Sequence, residues 1–309
     1  MKRVKESIGY WTKEIRNGNF HGNGIVAAVL DTGIILHPDF DRRILGFADF
    51  VGRRQQIYDD SGHGTHVAGI LAGSGKMSDG LYGGISPETG LLVAKVLDRM
   101  GNGTVKSVLE GIDWVLYMRR KYNLRIVNIS VGAQPELHER EEERLVAGVE
   151  ALWDAGLVVV VSAGNYGPEQ GTIAVPGSSR KVITVGASAE YSQKNLNTTG
   201  IAGRKTEKEW NYSGRGPTES CVVKPDLVAP GTNIISCNGG YINRWKKPYV
   251  AKSGTSMATP VVSGAIACLL SKYPDMTNVE VKLKLRESCT PDLSGNQGWG
   301  MLDMERLMR

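Results

Sequence analysis

The chain is organised around the segment SGTSMATPVVSGAIACLL, which occupies residues 253–270. Residues 261–270 are apolar on every side of a helical projection, and a helix of that kind is buried. At about 13 residues the predicted helix is too short to span a bilayer. Pro260 is expected in its first turn, where a missing N–H breaks no intrahelical bond. Ser256 therefore falls at the helix N-terminus.

Two interpretations of Ser256 follow from that position. Free backbone N–H groups and the positive end of the helix dipole lie at the N-terminus. A serine there is most simply a helix cap. A role as a nucleophile requires a base from elsewhere in the chain.

The length and the net charge of the chain limit the classes of protein to which it can belong. The chain has 309 residues, 39 glycines and a formal net charge of +5, which suits one large α/β domain or two small ones. Its basic residues are spread along the sequence, as expected of a solvated surface, so we expect no nucleic-acid partner. No apolar run is long enough for a membrane span, so we expect no membrane association.

The cysteines and the N-terminal residues indicate the cellular compartment of the protein. The four cysteines lack the spacing of a metal site, and we expect free thiols in a reducing compartment. No apolar signal-peptide core follows the charged first residues, which predicts a cytoplasmic protein. A leader already removed would leave the same N-terminus, so secretion stays open. Residues 1–24 are predicted to be a surface lead-in, with no long pro-domain.

Short apolar runs alternate with helical patterns. Strands buried on both faces are predicted at residues 25–30, 91–97, 125–129, 157–161 and 182–185, and helices at residues 104–120, 137–155 and 277–287. Residues 34–62 are predicted to be loops, and residues 190–212 a polar surface excursion. The alternation predicts a single α/β domain over residues 1–309, with a mostly parallel central sheet and helices on both faces.

Polar residues cluster where these strands end. Asp31, Ser130 and Asn165 each come just after a predicted strand, and His63 opens a predicted helix. Because sites in open parallel sheets form outside the carboxyl ends of the strands, these side chains and Ser256 are expected at one crevice.

That set of residues suits acyl transfer. A hydroxyl needs a base within hydrogen-bond reach, and a histidine oriented by a buried carboxylate provides one. Each residue alone has a simpler interpretation: Asp31 and Asn165 as turn residues, and His63 as a structural histidine. His63 and His66 could also suggest a metal, but the residues between them add no ligand.

The motifs around these residues resemble the subtilisin family of serine proteases. They are DTG at residues 31–33, GHGTHVAG at 62–69 and GTSMATP at 254–260, in the family's order of Asp, His and Ser. Further matches lie at residues 37–39, 93–97, 128–132, 162–165, 224–231 and 298–300, so the resemblance covers almost the whole chain. With free thiols and no signal peptide, the chain looks like an intracellular-type bacterial subtilase.

The resemblance implies roles for individual residues. Ser256 would be the nucleophile, His63 the general base and then the acid, and Asp31 the group that orients the imidazole. Asn165 would donate to the oxyanion together with the N–H of Ser256. Substrate-binding edges and pockets would be formed by Gly101, Asn102, Gly103, Val108, Ser130, Val131, Gly132, Ala163 and Gly164.

The function implied is a serine endopeptidase that cleaves peptides or proteins through an acyl-enzyme. Broad specificity is expected, with large apolar residues before the cut. A preference for basic residues would need acidic ones in the pocket, for which Asp59, Asp60 and Glu169 are candidates. The alternative is a catalytically silent subtilase that acts as a binding or regulatory module. An inhibitor or a pro-segment outside this chain is a further possible partner.

No cofactor is predicted. Asp39 matches one calcium ligand of secreted relatives, but residues 73–83 do not match the loop that supplies the others. One carboxylate without its loop is a poor calcium site, so calcium is not part of the prediction.

Overall fold

A computed structural model describes residues 1–132, 138–188, 212–241, 246–291 and 298–309. Seven parallel-paired strands form the central sheet: β1 (Val26–Asp31), β2 (Ile44–Asp49), β3 (Gly90–Lys95), β4 (Leu124–Ile129), β5 (Val158–Ser162), β6 (Ile183–Ala187) and β7 (Leu227–Ala229). Their spatial order is β2-β3-β1-β4-β5-β6-β7. The predicted parallel α/β sheet is confirmed, and its central strands are buried throughout because their residues are continuously apolar.

Helices cover the sheet in two layers. The helices of the described ranges are α1 (Lys2–Ser7), α2 (Lys13–Gly18), α3 (His63–Ala72), α4 (Val105–Tyr122), α5 (Glu139–Asp154), α6 (Thr255–Lys272), α7 (Asn278–Ser288) and α8 (Met304–Leu307). α3 packs against α6, α4 packs against α5, and each of the four contacts the sheet. This arrangement brings the N-termini of α3 and α6 to the carboxyl edge of the strands.

The helix α6 is the buried centre of the molecule. Every residue from 261 to 270 is buried, as the all-round apolar pattern predicts. The predicted position of Pro260 was wrong, because α6 already begins at Thr255 and Pro260 is an interior residue. Because proline has no N–H, the carbonyl of Ser256, four residues earlier, lacks its usual donor within the helix.

Four strands, β2, β7, β8 and β9, lie where none was predicted, and β7 has only three residues. β2 occupies part of the stretch expected to be loops, and its apolar run ILGFA at residues 44–48 was not recognised as a strand. It is an edge strand, and most of its residues are only half-buried. β8 (Ile234–Cys237) and β9 (Tyr249–Lys252) form a two-stranded antiparallel pair beside the main sheet. These strands are four residues each, too short to show a clear periodicity. The predicted surface excursion at residues 190–212 lies, except for Tyr212, outside the described residues.

The prediction of a surface lead-in at residues 1–24 was wrong. Val4, Ile8, Tyr10 and Ile15 are each 1% exposed and belong to the main hydrophobic core. The Tyr10 hydroxyl donates to the carbonyl of Ile85 at 2.8 Å. Apolar residues four apart on α1 and its flank face inward, so this short amphipathic segment packs against the domain.

Two global properties complete the fold. All four cysteines are free thiols, and Cys221 alone among them is exposed. Within the described ranges, no helix combines the length and the apolar character needed to cross a bilayer.

Candidate active site

Asp31 and His63 form a short, buried hydrogen bond. The Nδ1 atom of His63 lies 2.7 Å from Oδ1 of Asp31, which is fully buried, while the His63 side chain is 27% exposed. The same carboxylate oxygen accepts the N–H of Thr32 at 2.7 Å. Because Nδ1 faces a carboxylate, it carries the proton, and Nε2 is left as the basic atom.

Gly64 makes this approach possible. A Cβ atom at this position would lie 2.2 Å from the carbonyl oxygen of Gly33 and 3.1 Å from the Asp31 side chain. Only a glycine lets the first turn of α3 pack so closely on the end of β1. Gly64, the second glycine of GHGTHVAG, therefore allows the short distance between Asp31 and His63.

Asp59 joins the same two elements, a role that was not predicted, since it was named only as a candidate acid for a basic-residue pocket. Its Oδ1 accepts the Thr32 hydroxyl at 2.8 Å and the Gly62 N–H at 2.7 Å. Its Oδ2 accepts the Thr65 N–H at 2.8 Å and the Thr65 hydroxyl at 2.6 Å. Asp59 thus ties the turn after β1 to the start of α3. Its place just before the helix was the available signal, since acidic side chains often accept from a helix's first N–H groups.

The electrostatic surroundings raise the pKa of His63. Burial lowers this pKa, but the charge of Asp31 and its hydrogen bond raise it by more, so the net pKa lies above the usual value. The positive charge of Lys252 acts in the lowering direction. His63 is therefore a stronger base than a free imidazole.

Ser256 lies at the N-terminus of α6, as predicted, in one cleft with His63. Its hydroxyl donates to the carbonyl of Ser130 at 2.9 Å. Among the described contacts, no hydrogen bond joins Ser256 to His63. The Ser256 hydroxyl must therefore exchange the Ser130 carbonyl for Nε2 of His63 before His63 can take its proton.

Asn165 is oriented by the same helix end. Its Oδ1 accepts the N–H of Thr255 at 2.9 Å and the Thr255 hydroxyl at 3.1 Å. The amide nitrogen of Asn165 is then the group left to donate into the cleft. Ser256 is the second residue of α6, and the N–H of such a residue has no acceptor within its own helix.

A buried polar chain fixes Ser130. The Ser263 hydroxyl on α6 donates to Oδ1 of Asn128 at 2.9 Å, and the Asn128 amide donates to the Ser130 hydroxyl at 2.9 Å. All three residues are buried. This chain locks the end of β4 to α6, so Ser130 and Ser256 keep a fixed spacing.

The cleft has a volume of about 710 Å³ and contains most of the predicted site residues. Of those expected to bind substrate, the cleft is lined by Gly101, Asn102, Gly103, Val108, Ser130, Val131, Gly132 and Gly164. The prediction for Ala163 was wrong, because it is fully buried and does not line the cleft. Tyr166, Leu145 and Lys252 line the cleft and were not predicted.

The three candidate acids lie outside the cleft lining. Asp59 is used by the hydrogen bonds described above, and Asp60 accepts from the buried Lys95 ammonium at 2.8 Å. Glu169 is exposed and also absent from the lining. The positions of these three acids therefore do not support a substrate pocket for basic residues.

The surroundings of Asp39 do not fit calcium. Both carboxylate oxygens accept hydrogen bonds: from the N–H of Gly75 at 3.0 Å, the N–H of Met77 at 3.1 Å and the Tyr249 hydroxyl at 2.8 Å. The Cys237 thiol donates to the same carboxylate at 3.7 Å. A calcium ion needs six to eight oxygen ligands, whereas this loop presents N–H donors to the carboxylate.

Comparisons with known proteins find serine proteases and subtilisins similar to this chain. Serine protease AprX of Bacillus subtilis is 43% identical over 289 residues, in an alignment that covers 88% of this chain and 63% of AprX. The chain therefore spans less than two thirds of that relative. Subtilisin Savinase of Lederbergia lenta is 32% identical, over 95% of this chain and 94% of Savinase. A solved cold-adapted subtilisin-like serine proteinase superposes with a TM-score of 0.69 at 29% identity, covering 93% of this chain and 90% of its own.

The family assignment rests on a match over nearly the whole chain. A family model described as the subtilase family matches residues 22–300, a range that includes Asp31, His63, Asn165 and Ser256. Because the match is this extensive and the relatives named above are subtilisin-like proteases, the chain belongs to the subtilase family.

Proposed function

We propose that the protein is a serine endopeptidase that hydrolyses peptide bonds through an acyl-enzyme. The observation that carries this proposal is the 2.7 Å Asp31–His63 hydrogen bond in the same cleft as the helix-terminal Ser256. A carboxylate, an imidazole and an alcohol in this order are the parts of a nucleophile–base–orienter triad.

The peptide binds as an extended strand along the cleft. Backbone groups of Gly101–Gly103 and Ser130–Gly132 line it and offer main-chain hydrogen bonds. A peptide N–H that donates to the Ser130 carbonyl takes the acceptor now used by Ser256. The freed hydroxyl then turns toward Nε2 of His63, so substrate binding itself prepares the nucleophile.

The reaction then proceeds by proton transfer through His63. Nε2 takes the Ser256 proton as Oγ attacks the scissile carbonyl, and Asp31 stabilises the imidazolium that forms. The Asn165 amide and the Ser256 N–H donate to the oxyanion. His63 then gives its proton to the departing amine. A water molecule repeats these steps on the acyl-enzyme and releases the carboxylic acid and free Ser256.

The lining of the cleft supports apolar side chains on the acyl side of the cut. Val105, Val108, Ile129, Val131 and Leu145 contribute apolar surface there. Burial of a large apolar side chain stabilises a complex by roughly 1.5–3 kcal/mol. Unfolded proteins, which present such residues along an extended backbone, are suitable substrates.

The test is cleavage of an unfolded protein by the wild type and by Ser256→Ala. We expect the wild type to produce fragments and the variant to produce essentially none. If the folded wild type cleaves no unfolded protein, the endopeptidase proposal is wrong, and a silent binding module becomes the better account.

A further inference from the structure

Lys252 places a positive charge in the catalytic cleft. It is the last residue of β9, is half-buried, and lines the cleft together with His63 and Ser256. Two buried lysines contact a carboxylate, since Lys95 lies 2.8 Å from Asp60 and Lys224 lies 2.6 Å from Asp226. The buried Lys5 instead has its ammonium over the rings of Tyr10 and Trp11. Lys252 has no carboxylate within ion-pair distance among the described residues. Because half-burying an ammonium costs free energy, the missing partner points to a ligand.

The position of Lys252 relative to the triad is fixed. Its strand pair is fastened to α3, since Nε2 of His66 lies 3.0 Å from the carbonyls of both Ile234 and Val250. Gly62 and Gly239 are also in close backbone contact. Lys252 pairs with Ile234 in this small sheet, so its backbone cannot shift independently of His63.

We infer that Lys252 lies on the departing side of the scissile bond. The acyl half of a peptide would lie along Gly101–Gly103 and Ser130–Gly132, and the departing half begins at the amine that His63 protonates. Lys252 is on β9, which is fastened to the helix α3 that carries His63, and its charge interacts with those of Asp31, Asp59, His63 and His66. None of these residues belongs to the acyl-side segments.

We propose that Lys252 selects peptides with a carboxylate at the first or second residue after the scissile bond. This inference rests on the proposed endopeptidase function. The carboxylate is either an Asp or Glu side chain or the free C-terminus of a short peptide, because both present the same anion. A charge pair at a partly desolvated site changes kcat/KM by about tenfold.

The Lys252 charge has a second measurable effect. Since it acts to lower the pKa of His63, its removal raises that pKa further. The acid limb of the kcat/KM profile then moves to higher pH in Lys252→Met. This shift tests the proximity of the Lys252 charge to His63, whereas the contact with substrate is tested by the choice between peptides.

The experiment uses matched fluorogenic peptides with amidated C-termini. They differ only in Glu, Gln or Lys at the first and second positions after the cut. A fourth peptide carries neutral residues there and ends in a free carboxylate at the second position. The enzymes are the wild type, Lys252→Met, Lys252→Glu and Lys252→Arg, with concentrations set by active-site titration. The control is Lys247→Met, which removes an exposed charge between the same two strands.

We expect the wild type and Lys247→Met to cleave the Glu peptide about ten times faster than the Gln peptide, as judged by kcat/KM. Lys252→Met should cleave the Glu and Gln peptides equally well. Lys252→Glu should cleave the Lys peptide faster than the Glu peptide, and Lys252→Arg should retain the preference for the Glu peptide. A preference confined to the fourth peptide would identify the terminal carboxylate as the ligand. An unchanged Glu preference in Lys252→Met, or equal cleavage of all peptides by the wild type, overturns the inference but leaves the protease intact. If no peptide is cleaved, the inference falls together with the proposed function.

Discussion

At the scale of single residues, the catalytic geometry depends on the contacts of the two carboxylate oxygens of Asp31. Asp31 gives one oxygen to His63, and its other oxygen is buried without a partner among the described residues. A carboxylate in this position can only accept a hydrogen bond. It therefore holds the proton on Nδ1 of His63 and keeps Nε2 basic.

The variant Asp31→Asn tests this role. An amide at this position can donate to Nδ1 and so favours the wrong tautomer of His63. We expect kcat to fall by about 10⁴-fold with a small change in the melting temperature. Steady-state kinetics beside a thermal melt measure both. A loss of less than tenfold would show that His63 does not depend on Asp31.

Gly64 offers a second test at this scale. Its Cβ would meet the backbone carbonyl of Gly33 at 2.2 Å, so Gly64→Ala should destabilise the protein by about 1–3 kcal/mol and lower kcat. Gly148→Ala is the matched control, because its new Cβ would meet only the side-chain ends of Leu109 and Ile112. Urea unfolding of both variants in the Ser256→Ala background avoids autolysis. Equal stability of the two variants would contradict the close-approach argument.

At the scale of elements, α3 is the connection between the triad and the small sheet. His63 and Asp59 hold its first turn against β1, and His66 holds its next residues against β8 and β9. His66 is fully buried, and burial, followed by the charge of Lys252, lowers its pKa to about 3.

This depressed pKa makes the α3 contact sensitive to acid. Below about pH 6.5 His66 is protonated in the unfolded chain. In the folded protein it stays neutral down to about pH 3, so the unfolded chain binds more protons in this range. Stability is thus lost as the pH falls through this window, by up to about 1.4 kcal/mol per pH unit from this group. His66→Gln keeps a donor but cannot titrate. In the Ser256→Ala background, we expect its free energy of unfolding to fall less than the parent's between pH 7 and pH 4.5. A parallel fall would contradict this assignment.

The turn at residues 73–83 is a second element with a testable consequence. We propose that its stability does not depend on calcium, because N–H and O–H donors already satisfy Asp39. An excess of EGTA should leave the melting temperature unchanged, whereas Asp39→Asn should lower it. A fall of several degrees in EGTA that calcium reverses would show a calcium site in the chain.

At the scale of the whole molecule, the chain brings charges from distant segments to one base. Asp31 on β1 raises the pKa of His63 and Lys252 on β9 opposes it, with a net pKa above the usual value of about 6.5. Because His63 must be neutral to accept the Ser256 proton, activity is lost as the pH falls through that raised pKa. The kcat/KM profile should therefore have an acid limb above about pH 6.5. An acid limb well below that value would contradict this balance of charges.

The parallel sheet and the crevice could be predicted from the sequence because both depend on local patterns. Continuous apolar runs predicted five of the seven strands, and the polar residues after them predicted the positions of Asp31, Ser130 and Asn165. The packed N-terminal segment and β9 were missed because their burial depends on distant partners. Lys252 was missed as a cleft residue for the same reason, and the role of Asp59 in fastening α3 was missed because Asp59 does not belong to the motifs that carried the resemblance.

The most direct test of the triad is covalent labelling of the folded wild type with a fluorophosphonate, followed by peptide mapping. The account predicts one adduct, on Ser256, which forms slowly in Asp31→Asn and is absent in Ser256→Ala. Labelling of another residue at the same rate, or none in folded protein, would contradict the claim that Asp31, His63 and Ser256 act as one unit.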